Sequence, residues 1–408
     1  MSLPLAGIRI VDMSRVYAGP WATQMLADLG AEIIKIERPG RGDEMRVIGP
    51  PFLQGRDGKP TSEVPFYLSV NRNKKSVAVD ISRKEGQDIV RRLAGTSDVF
   101  VENYKVGDLT RYGLDYPAIS SIRHGIVYCS ITGFGQTGPY ADRPGMDSMF
   151  QAMSGLMSIT GEPDGRPQRV GFSVVDFICG MYAVTAIQGA LYHRDLHGGP
   201  GQFIDLSLLD TQMAALSTMA QTYLVSGQIP MRTGTESTAY VPVACFRCAD
   251  GELSISAGRD DEFRRFCEVM ERPELAADER FVTLAGRSAR RSELMSILND
   301  MLACMNVAEV TERMTRAAIV HAPINNIAQA FDDPQVRHRD LVTHVAHPLA
   351  DDVPLIRNPI RYSATPLDRY EAPPLLGQHT REVLSGLLGM DDDSVQRLVD
   401  QRILQARD

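Results

Sequence analysis

The sequence predicts an α/β protein with a large domain on a Rossmann-like parallel sheet and a smaller α/β domain. The first observation is a strand–helix–strand pattern in "GIRIVDMS", "GPWATQMLADLG" and "AEIIKIERPG", a unit that sets two strands in parallel. The second is the length of 408 residues, which exceeds what one hydrophobic core usually serves. The third is a change near residue 225, where long apolar segments give way to turn signals and short alternating strands.

The elements of the large domain can be assigned in chain order. The first strand is "GIRIVDMS", the first helix ends at a glycine, and the second strand is stopped by a Pro-Gly pair. A helix over residues 83–94 precedes the strand "DVFVENY", and "GIVYCSITGFG" is the next strand. Apolar helices are predicted over residues 145–158 and 177–194. The segment "GQFIDLSLLD" returns to strand, and a helix follows to about residue 226.

The domain boundaries follow from these elements. We place the N-terminal part of the large domain at residues 1–200 and the small α/β domain at residues 225–335, where "DDEFRRFCEVMERPEL" predicts a helix with a charged face. The segments "DDPQVRHRDLVTHVAHP" and "RYSATPLDRYEAPPLLGQHT" predict extended connections. Residues 345–408 are therefore expected to form a linker and a helical return to the large domain.

Composition and charge narrow the classes of function. A formal charge of −8 at pH 7 disfavours a nucleic-acid binder, although a local basic patch can still hold a small anionic ligand. The N-terminal "MSLPLAGIRIVDMSR" lacks the basic start and apolar core of a signal peptide. No run of about 18 apolar residues predicts a membrane span. We expect a cytoplasmic protein.

The cysteines and short motifs of the sequence disfavour a redox site, a metal site and a nicotinamide site. The six cysteines are scattered, as is typical of free thiols in a reducing compartment. Cys245 and Cys248 form a C-x-x-C, but the following "ADGELSIS" predicts a turn and a strand instead of a redox helix. The sequence has no H-E-x-x-H motif and no Cys/His cluster with metal spacing, so we predict no metal. Residues 133–138, "GFGQTG", match G-x-G-x-x-G, but no helix follows directly, which disfavours a nicotinamide site.

Cationic side chains lie near the ends of several predicted strands. Ligands of open parallel sheets bind at the carboxyl ends of the strands, where cations suit a phosphorylated ligand. Solvent-exposed surface charge is the alternative for each of these residues. The cations concerned are Arg38, Arg72, Lys74, Lys75, Arg111 and Arg143.

One carboxylate, Asp176, lies in the otherwise apolar run "GFSVVDFICG". Burying an ionised carboxylate is costly unless something hydrogen-bonds it. Because "FICGMYAVTAIQGALYHR" predicts a helix, Asp176 can be the N-cap of that helix. A helix N-terminus also keeps a carboxylate ionised, and such a carboxylate can attack an activated acyl group. The residues alone leave both interpretations open.

Long stretches of the chain match one enzyme family. They include "GIRIVDMSRVYAGPWATQMLADLGAEIIKIERPGRGD", "YLSVNRNKKSVAVDI", "VFVENYKVGDLTRYG", "YCSITGFGQTGPYADRPGMD", "GLMSITG", "GQFIDLSLLD" and "PPLLGQHT". Through them the sequence resembles, nearly end to end, the class III CoA-transferases, the group that also includes the α-methylacyl-CoA racemases. The stretches "GPPF", "VNRNKKS" and "VENY" are most similar to the succinyl-CoA:glutarate and hydroxymethylglutarate type.

The resemblance implies an interlocked homodimer of ring-like chains and a coenzyme A thioester as substrate, with no prosthetic group. The donor would be an acyl-CoA such as succinyl-CoA. The acceptor would be a carboxylic acid, for which a dicarboxylate such as glutarate or itaconate, or a branched C6 acid, is expected.

The resemblance also implies roles for individual residues. The family nucleophile is an Asp just before a helix; it falls on Asp176, which would carry first an acyl anhydride and then a CoA thioester. Backbone amides near residues 133–138 would stabilise the oxyanions. Arg143 stands beside Pro144, where some members have a Lys, and is taken as a further CoA contact. The other CoA contacts carry over to Val16, Tyr17, Arg38, Asn103, Tyr104 and Arg111.

Departures from the family pattern bear on the alternatives. The glycine run over the active site of oxalate-type enzymes is missing from "RTGTESTAYVPVACF". The His of the racemase "GHD" triplet is Met146 here, and because Met cannot carry a proton, racemase activity is disfavoured. Asp147 is left either as a helper near the site or as an ordinary acidic residue in a first helical turn. A CoA-binding protein without turnover is the remaining alternative, and it would not need Asp176.

Overall fold

The computed structural model describes residues 2–407 and forms two compact units. The first unit comprises the described residues up to Gly155, Val170–Gly227, and the described residues from Asp340 onward. The second unit comprises Leu156–Arg169 and Gln228–Arg339.

The strands and helices are numbered here in chain order. The strands are β1 (Arg9–Asp12), β2 (Glu32–Glu37), β3 (Lys74–Val79), β4 (Val99–Glu102), β5 (Val127–Thr132), β6 (Phe203–Ser207), β7 (Val243–Arg247), β8 (Glu252–Ser256), β9 (Val320–Pro323), β10 (Val342–His347), β11 (Ala350–Ile356) and β12 (Leu404–Gln405). The α-helices are α1 (Ala18–Asp28), α2 (Pro65–Leu68), α3 (Lys84–Gly95), α4 (Tyr116–Ile122), α5 (Asp147–Met153), α6 (Leu156–Ile159), α7 (Val174–His197), α8 (Leu208–Ala215), α9 (Thr218–Ser226), α10 (Asp260–Val269), α11 (Pro273–Ala277), α12 (Leu284–Ala289), α13 (Arg291–Leu302), α14 (Val307–Arg316), α15 (Ile327–Asp332), α16 (Pro334–His338), α17 (Thr380–Leu388) and α18 (Asp392–Asp400). Short 3₁₀ helices lie at Glu44–Val47 and Thr110–Tyr112.

The first unit is built on a seven-stranded sheet in the order β12-β3-β2-β1-β4-β5-β6. All neighbouring strands from β3 to β6 run parallel, and β12 pairs antiparallel with β3 at the edge. The order 3-2-1-4-5-6 is that of the dinucleotide-binding fold, so the predicted Rossmann-like parallel sheet is confirmed. In such sheets the strand order reverses beside β1, and ligands bind outside the carboxyl ends of β1 and β4.

Side chains alternate between the two faces of this sheet, and each face packs against helices. In β1, Ile10 joins a core cluster with residues of α1 and α7, whereas Val11 joins a cluster with α3, α17 and α18. In β5, Cys129 belongs to the first cluster and Tyr128 to the second. Both faces are therefore buried, which explains why these strands read as continuous apolar runs.

Helix α7 is the longest helix of the first unit and contains Asp176. It is the one helix within residues 2–407 that is long and apolar enough to cross a membrane by length and composition, with a mean hydropathy of 1.6. Its buried residues, among them Cys179, Ala183 and Ile187, pack in the core cluster that it shares with α1. This packing is that of a core helix.

Several segments differ from the prediction. The helix predicted over 145–158 is divided into α5 and α6 around Gly155, whose φ is +91°. The helix predicted up to about residue 226 is divided into α8 and α9 around Ser217, whose φ is +44°. The segment predicted as an extended connection after residue 332 contains α16 and β10, and β10 pairs antiparallel with β11.

The second unit has its own small sheet, in the antiparallel order β7-β8-β9. Cys245 lies in β7, and Cys248 follows just before the hairpin turn, so the predicted turn and strand after the C-x-x-C are confirmed. Arg287 is fully buried and donates to the backbone carbonyls of Val241 (2.7 Å) and Gly258 (2.6 Å). These hydrogen bonds satisfy a buried guanidinium and tie α12 to the loops around the sheet.

Candidate active site

Asp176 is the third residue of α7, not the residue before the helix. The helix begins at Val174, with Ser173 at the N-cap position, so the prediction that Asp176 caps the helix is wrong. Its side chain is partly buried in the first turn. Gly180, one turn further along, lets α7 approach α1 so closely that a Cβ atom there would lie 2.8 Å from the Ala18 carbonyl oxygen. This close approach brings the start of α1 to the start of α7.

The first turn of α7 is capped instead by Asp147, the first residue of α5. Its Oδ2 atom accepts hydrogen bonds from the backbone N–H of Val175 at 2.8 Å and of Asp176 at 3.2 Å. Its Oδ1 atom accepts from Nε2 of Gln151 at 2.6 Å, one turn along α5. Asp147 is thus both an acidic residue in the first turn of its own helix and the cap of the next one.

The protonation of Asp176 also differs from the expectation. Burial, and after it the negative charge of Asp147, raises the pKa of Asp176 to about 7. The helix N-terminus was expected to keep this carboxylate ionised, but the amides that would do so already bind Asp147. Such a carboxylate is more basic than an ordinary one and is still ionised in about half of the molecules at pH 7.

Two further side chains face Asp176. Burial, and after it the charge of Asp176, raises the pKa of Tyr17, the residue that precedes α1. The ring of Tyr17 stacks on Trp21, with centroids 6.3 Å apart, and Trp21 packs on Phe177 at 4.7 Å. Burial raises the pKa of the Cys179 thiol to about 12, so the thiol and the phenol are both uncharged at neutral pH.

The turn between β1 and α1 is held in a strained conformation. Val16 has a φ of +69°, which is unusual for a β-branched residue. Asn103, after β4, accepts from the Arg15 N–H at 2.9 Å and donates to the Arg15 carbonyl at 2.7 Å. Asp43 accepts from the Val16 N–H at 3.2 Å. Asn103 therefore joins the ends of β1 and β4, the place where this fold binds its ligands.

Two buried ion pairs stabilise the turn between β1 and α1. Lys74 donates to Asp12 at 3.2 Å and to the Pro20 carbonyl at 2.9 Å, and all three groups are buried around the start of α1. Lys35 donates to Asp43 at 2.9 Å and to the Ser14 carbonyl at 2.9 Å. A buried pair that loses one partner leaves an uncompensated charge, so these contacts fix the geometry of the turn.

Two of the predicted ligand-binding cations, Arg72 and Lys74, are buried in ion pairs, and Lys75 forms a partly exposed ion pair. Lys74 pairs with Asp12, and Arg72 is buried against Asp28, with Nη2–Oδ2 at 2.5 Å. Lys75 pairs with Glu32 at 3.1 Å and Glu382 at 2.8 Å. Arg72 and Lys74 are therefore structural cations and not ligand contacts, because each is buried against its carboxylate partner.

Two of the other predicted cations, Arg38 and Arg111, line one cavity, together with carboxylates such as Asp80 and Asp108. Its volume is about 370 Å³, and it opens at the carboxyl ends of β2 and β3. Arg38, Tyr104 and Arg111, three of the predicted CoA contacts, line it together. The Arg15 guanidinium lies over the Tyr104 ring, 4.4 Å from its centroid. Glu102 fixes the backbone of Tyr104 by accepting its N–H at 2.7 Å.

Sequence reasoning missed three basic residues of this cavity, one of which is the buried Lys35 described above. Arg15 and Arg41 also line it. Arg15 stands directly before Val16 in the strained turn, and Arg41 follows Arg38 in the loop after β2. The signal for both was their position just beyond a strand end, the same signal that selected Arg38.

Two other predicted groups lie elsewhere. Arg143 is exposed, stacks 4.4 Å from the centroid of the Tyr140 ring, and is not among the residues that line the cavity. In the glycine turn, the Gly135 N–H donates to Thr132 and the Gln136 N–H to Asp205. These two amides are already bonded and do not act as free oxyanion donors.

The structure also places Met146, the residue at the position of the racemase His. Met146 stands directly before α5 and its side chain is 73% exposed. Asp147 follows it and points its carboxylate at α7. An exposed methionine therefore stands at the position of the racemase His, and Asp147 caps the helix that carries Asp176.

Comparisons with known proteins show what this chain is similar to. A family model described as CoA-transferase family III matches residues 5–380. The succinate–glutarate CoA-transferase of Agrobacterium fabrum (strain C58 / ATCC 33970) is 44% identical over 94% of this chain and 96% of its own. The succinyl-CoA:glutarate CoA-transferase of Homo sapiens is 40% identical over 98% of this chain and 90% of its own. A crystal structure of a CaiB/BaiF family protein from Brucella suis has a TM-score of 0.86 at 38% identity and covers 95% of this chain and 100% of that one.

The family model spans most of the chain. The two relatives are at least 40% identical to it over nearly its full length. The resemblance seen in the sequence is thereby confirmed: the chain belongs to CoA-transferase family III.

Proposed function

We propose that this protein moves CoA from succinyl-CoA to a dicarboxylate such as glutarate through covalent intermediates on Asp176. The observation that carries the proposal is the nearly full-length similarity to transferases named for succinate, succinyl-CoA and glutarate. The placement of Asp176 supports it. A basic, partly buried carboxylate beside a strained turn is a suitable nucleophile for an activated acyl group.

The cationic cavity is proposed as the site for the phosphates and adenine of CoA. Arg38 and Arg111 line it at the carboxyl ends of the strands, and guanidinium groups pair with phosphate and stack on aromatic rings. Residues Arg15 to Tyr17 lead from this cavity to Asp176, since Arg15 lines the cavity and the Tyr17 phenol is within the electrostatic influence of Asp176. The pantetheine arm would follow this turn and place the thioester at the first turn of α7.

The first half of the reaction then proceeds in two displacements. A carboxylate oxygen of Asp176 attacks the thioester carbonyl carbon, the C–S bond breaks, and CoA leaves as a thiolate, giving a mixed anhydride. The thiolate attacks the carboxyl carbon of Asp176, the C–O bond to the succinyl group breaks, and succinate leaves. The product is a thioester between Asp176 and CoA.

The second half reverses these displacements with the acceptor. A carboxylate oxygen of the acceptor attacks the aspartyl thioester and expels CoA thiolate, which then attacks the acceptor carbonyl of the new anhydride. Asp176 returns to a carboxylate and the acceptor leaves as its CoA thioester. One thioester replaces another, so the exchange needs no external energy source.

A transfer assay tests this proposal. Incubation with succinyl-CoA and glutarate should yield glutaryl-CoA and succinate by mass spectrometry, whereas a monocarboxylate such as butyrate should yield much less product. Asp176→Ala should abolish transfer but still bind CoA, and Asp142→Asn, which changes an exposed carboxylate in the loop before α5, should remain active. Substantial transfer by Asp176→Ala would rule out Asp176 as the nucleophile.

A further inference from the structure

Two carboxylates compete for one helix N-terminus in this site. The backbone N–H groups in the first turn of a helix normally stabilise a nearby anion. Here the N–H groups of Val175 and Asp176 both donate to Oδ2 of Asp147. Within residues 2–407, no hydrogen bond from these amides to the Asp176 carboxylate is seen, and a second negative charge lies beside it.

The second carboxylate oxygen of Asp147 is held by Gln151. Gln151 is fully buried; its Nε2 donates to Oδ1 of Asp147 at 2.6 Å, and its Oε1 accepts from the Val170 N–H at 2.8 Å. No ion pair to Asp147 from a Lys, Arg or His is seen within residues 2–407. The neutral Gln151 thus fixes the position of the charge without cancelling it.

The groups that face Asp176 come from three elements. Asp147 belongs to α5, Tyr17 precedes α1, and Cys179 lies on α7 itself. The phenol and the thiol are uncharged at neutral pH, because burial raises the pKa of each. The charge that acts on Asp176 is therefore that of Asp147.

We propose that Asp147 is a positioning residue whose fixed negative charge favours acylation of Asp176. The inference rests on the proposed function. In the free enzyme the two carboxylates repel each other, and when Asp176 becomes an anhydride or thioester it is neutral and the repulsion ends. In the first displacement the negative charge passes from the Asp176 oxygen to the departing CoA sulfur, so it moves away from Asp147. The charge thus raises the energy of the free carboxylate relative to the acylated state.

Replacing Asp147 with Asn tests the charge separately from the cap. The Asn amide oxygen can still accept from the helix N–H groups, so a purely structural role is preserved. Loss of a like charge should shift the acid limb of kcat/KM to lower pH by about one unit or more. At pH 8 the ratio of Asp176 thioester to free enzyme with succinyl-CoA should fall about tenfold, because one pKa unit corresponds to a factor of ten in an equilibrium constant.

Further measurements separate this inference from its alternatives. KM for succinyl-CoA should stay within about twofold while kcat falls, because Asp147 binds the helix and not the substrate. Asp147→Ser, which also keeps a hydrogen-bond acceptor without the charge, should behave like Asp147→Asn and replaces it if that variant does not fold. Asp142→Asn is the matched control and should leave the pH profile unchanged.

The outcomes are distinct. If the wild type transfers CoA and a folded neutral variant keeps the wild-type acid limb and the wild-type ratio of thioester to free enzyme, the inference about Asp147 is wrong. If the wild type neither transfers CoA nor forms the thioester, the proposed function itself fails.

Discussion

The arrangement of Asp176 predicts that the active site increasingly destabilises the fold as the pH rises from about 4 to about 7. In the folded protein, burial and then Asp147 raise the pKa of Asp176 from 3.8 to about 7. A carboxyl group with a raised folded-state pKa carries no penalty below its unfolded pKa; the penalty grows as the pH rises through the folded pKa and is constant above it. A shift of three units at about 1.4 kcal/mol each corresponds to about 4 kcal/mol at pH 8.

Asp176→Asn removes the titrating group and should therefore stabilise the protein in a pH-dependent way. Linkage places about half of the penalty below pH 5.5, so the advantage of the variant over the wild type should be about 2 kcal/mol larger at pH 8 than at pH 5.5. Urea unfolding of both proteins at the two pH values measures this difference. Asp142→Asn is the control and should show no such change. An advantage that stays constant or shrinks as the pH rises would refute the reasoning.

Three further expectations concern the cationic cavity, the buried ion pairs and the racemase alternative. Arg38→Ala and Arg111→Ala should each weaken CoA binding about tenfold or more, since a hydrogen bond to a charged group contributes about 1.5–3 kcal/mol; unchanged affinities by calorimetry would exclude this cavity as the CoA site. Lys74→Met should lower the free energy of unfolding by about 3–5 kcal/mol at pH 7, because it leaves Asp12 buried without its partner; a loss below about 1 kcal/mol would contradict that pairing. With a 2-methylacyl-CoA in heavy water, the α-proton should remain by NMR, because Met146 cannot carry a proton; rapid deuterium uptake would restore the racemase interpretation.

The sheet could be predicted because its evidence is local. Each parallel strand is buried on both faces and appears in the sequence as a continuous apolar run with a turn signal at its end. The start of α7 could not be predicted in the same way. Asp is a preferred N-cap residue, so local reasoning placed Asp176 there. The actual cap is Asp147, 28 residues before Val175 in the chain, and only the tertiary fold brings them together.

The predicted ligand-binding cations show the same limit of local sequence reasoning. The sequence grouped Lys74 and Arg38 as cations near strand ends, but Lys74 begins β3 whereas Arg38 follows the carboxyl end of β2. The structure pairs Lys74 with Asp12, which is 62 residues away, and leaves Arg38 exposed at a cavity. Whether a strand-end cation binds a ligand or a carboxylate depends on the neighbouring strand, which the local sequence does not specify. The role of Asp176 came from the family resemblance, since the residues alone were equally consistent with a helix cap.

The most direct test of the central claim is to trap the covalent intermediate. Wild-type protein incubated with succinyl-CoA without an acceptor, quenched in acid, digested and analysed by mass spectrometry should carry CoA as a thioester on the peptide that contains Asp176. Hydroxylamine should convert that residue to the hydroxamate, and Asp176→Ala should carry neither modification. Active transfer with no adduct on Asp176, or with the adduct on another residue, would contradict the account.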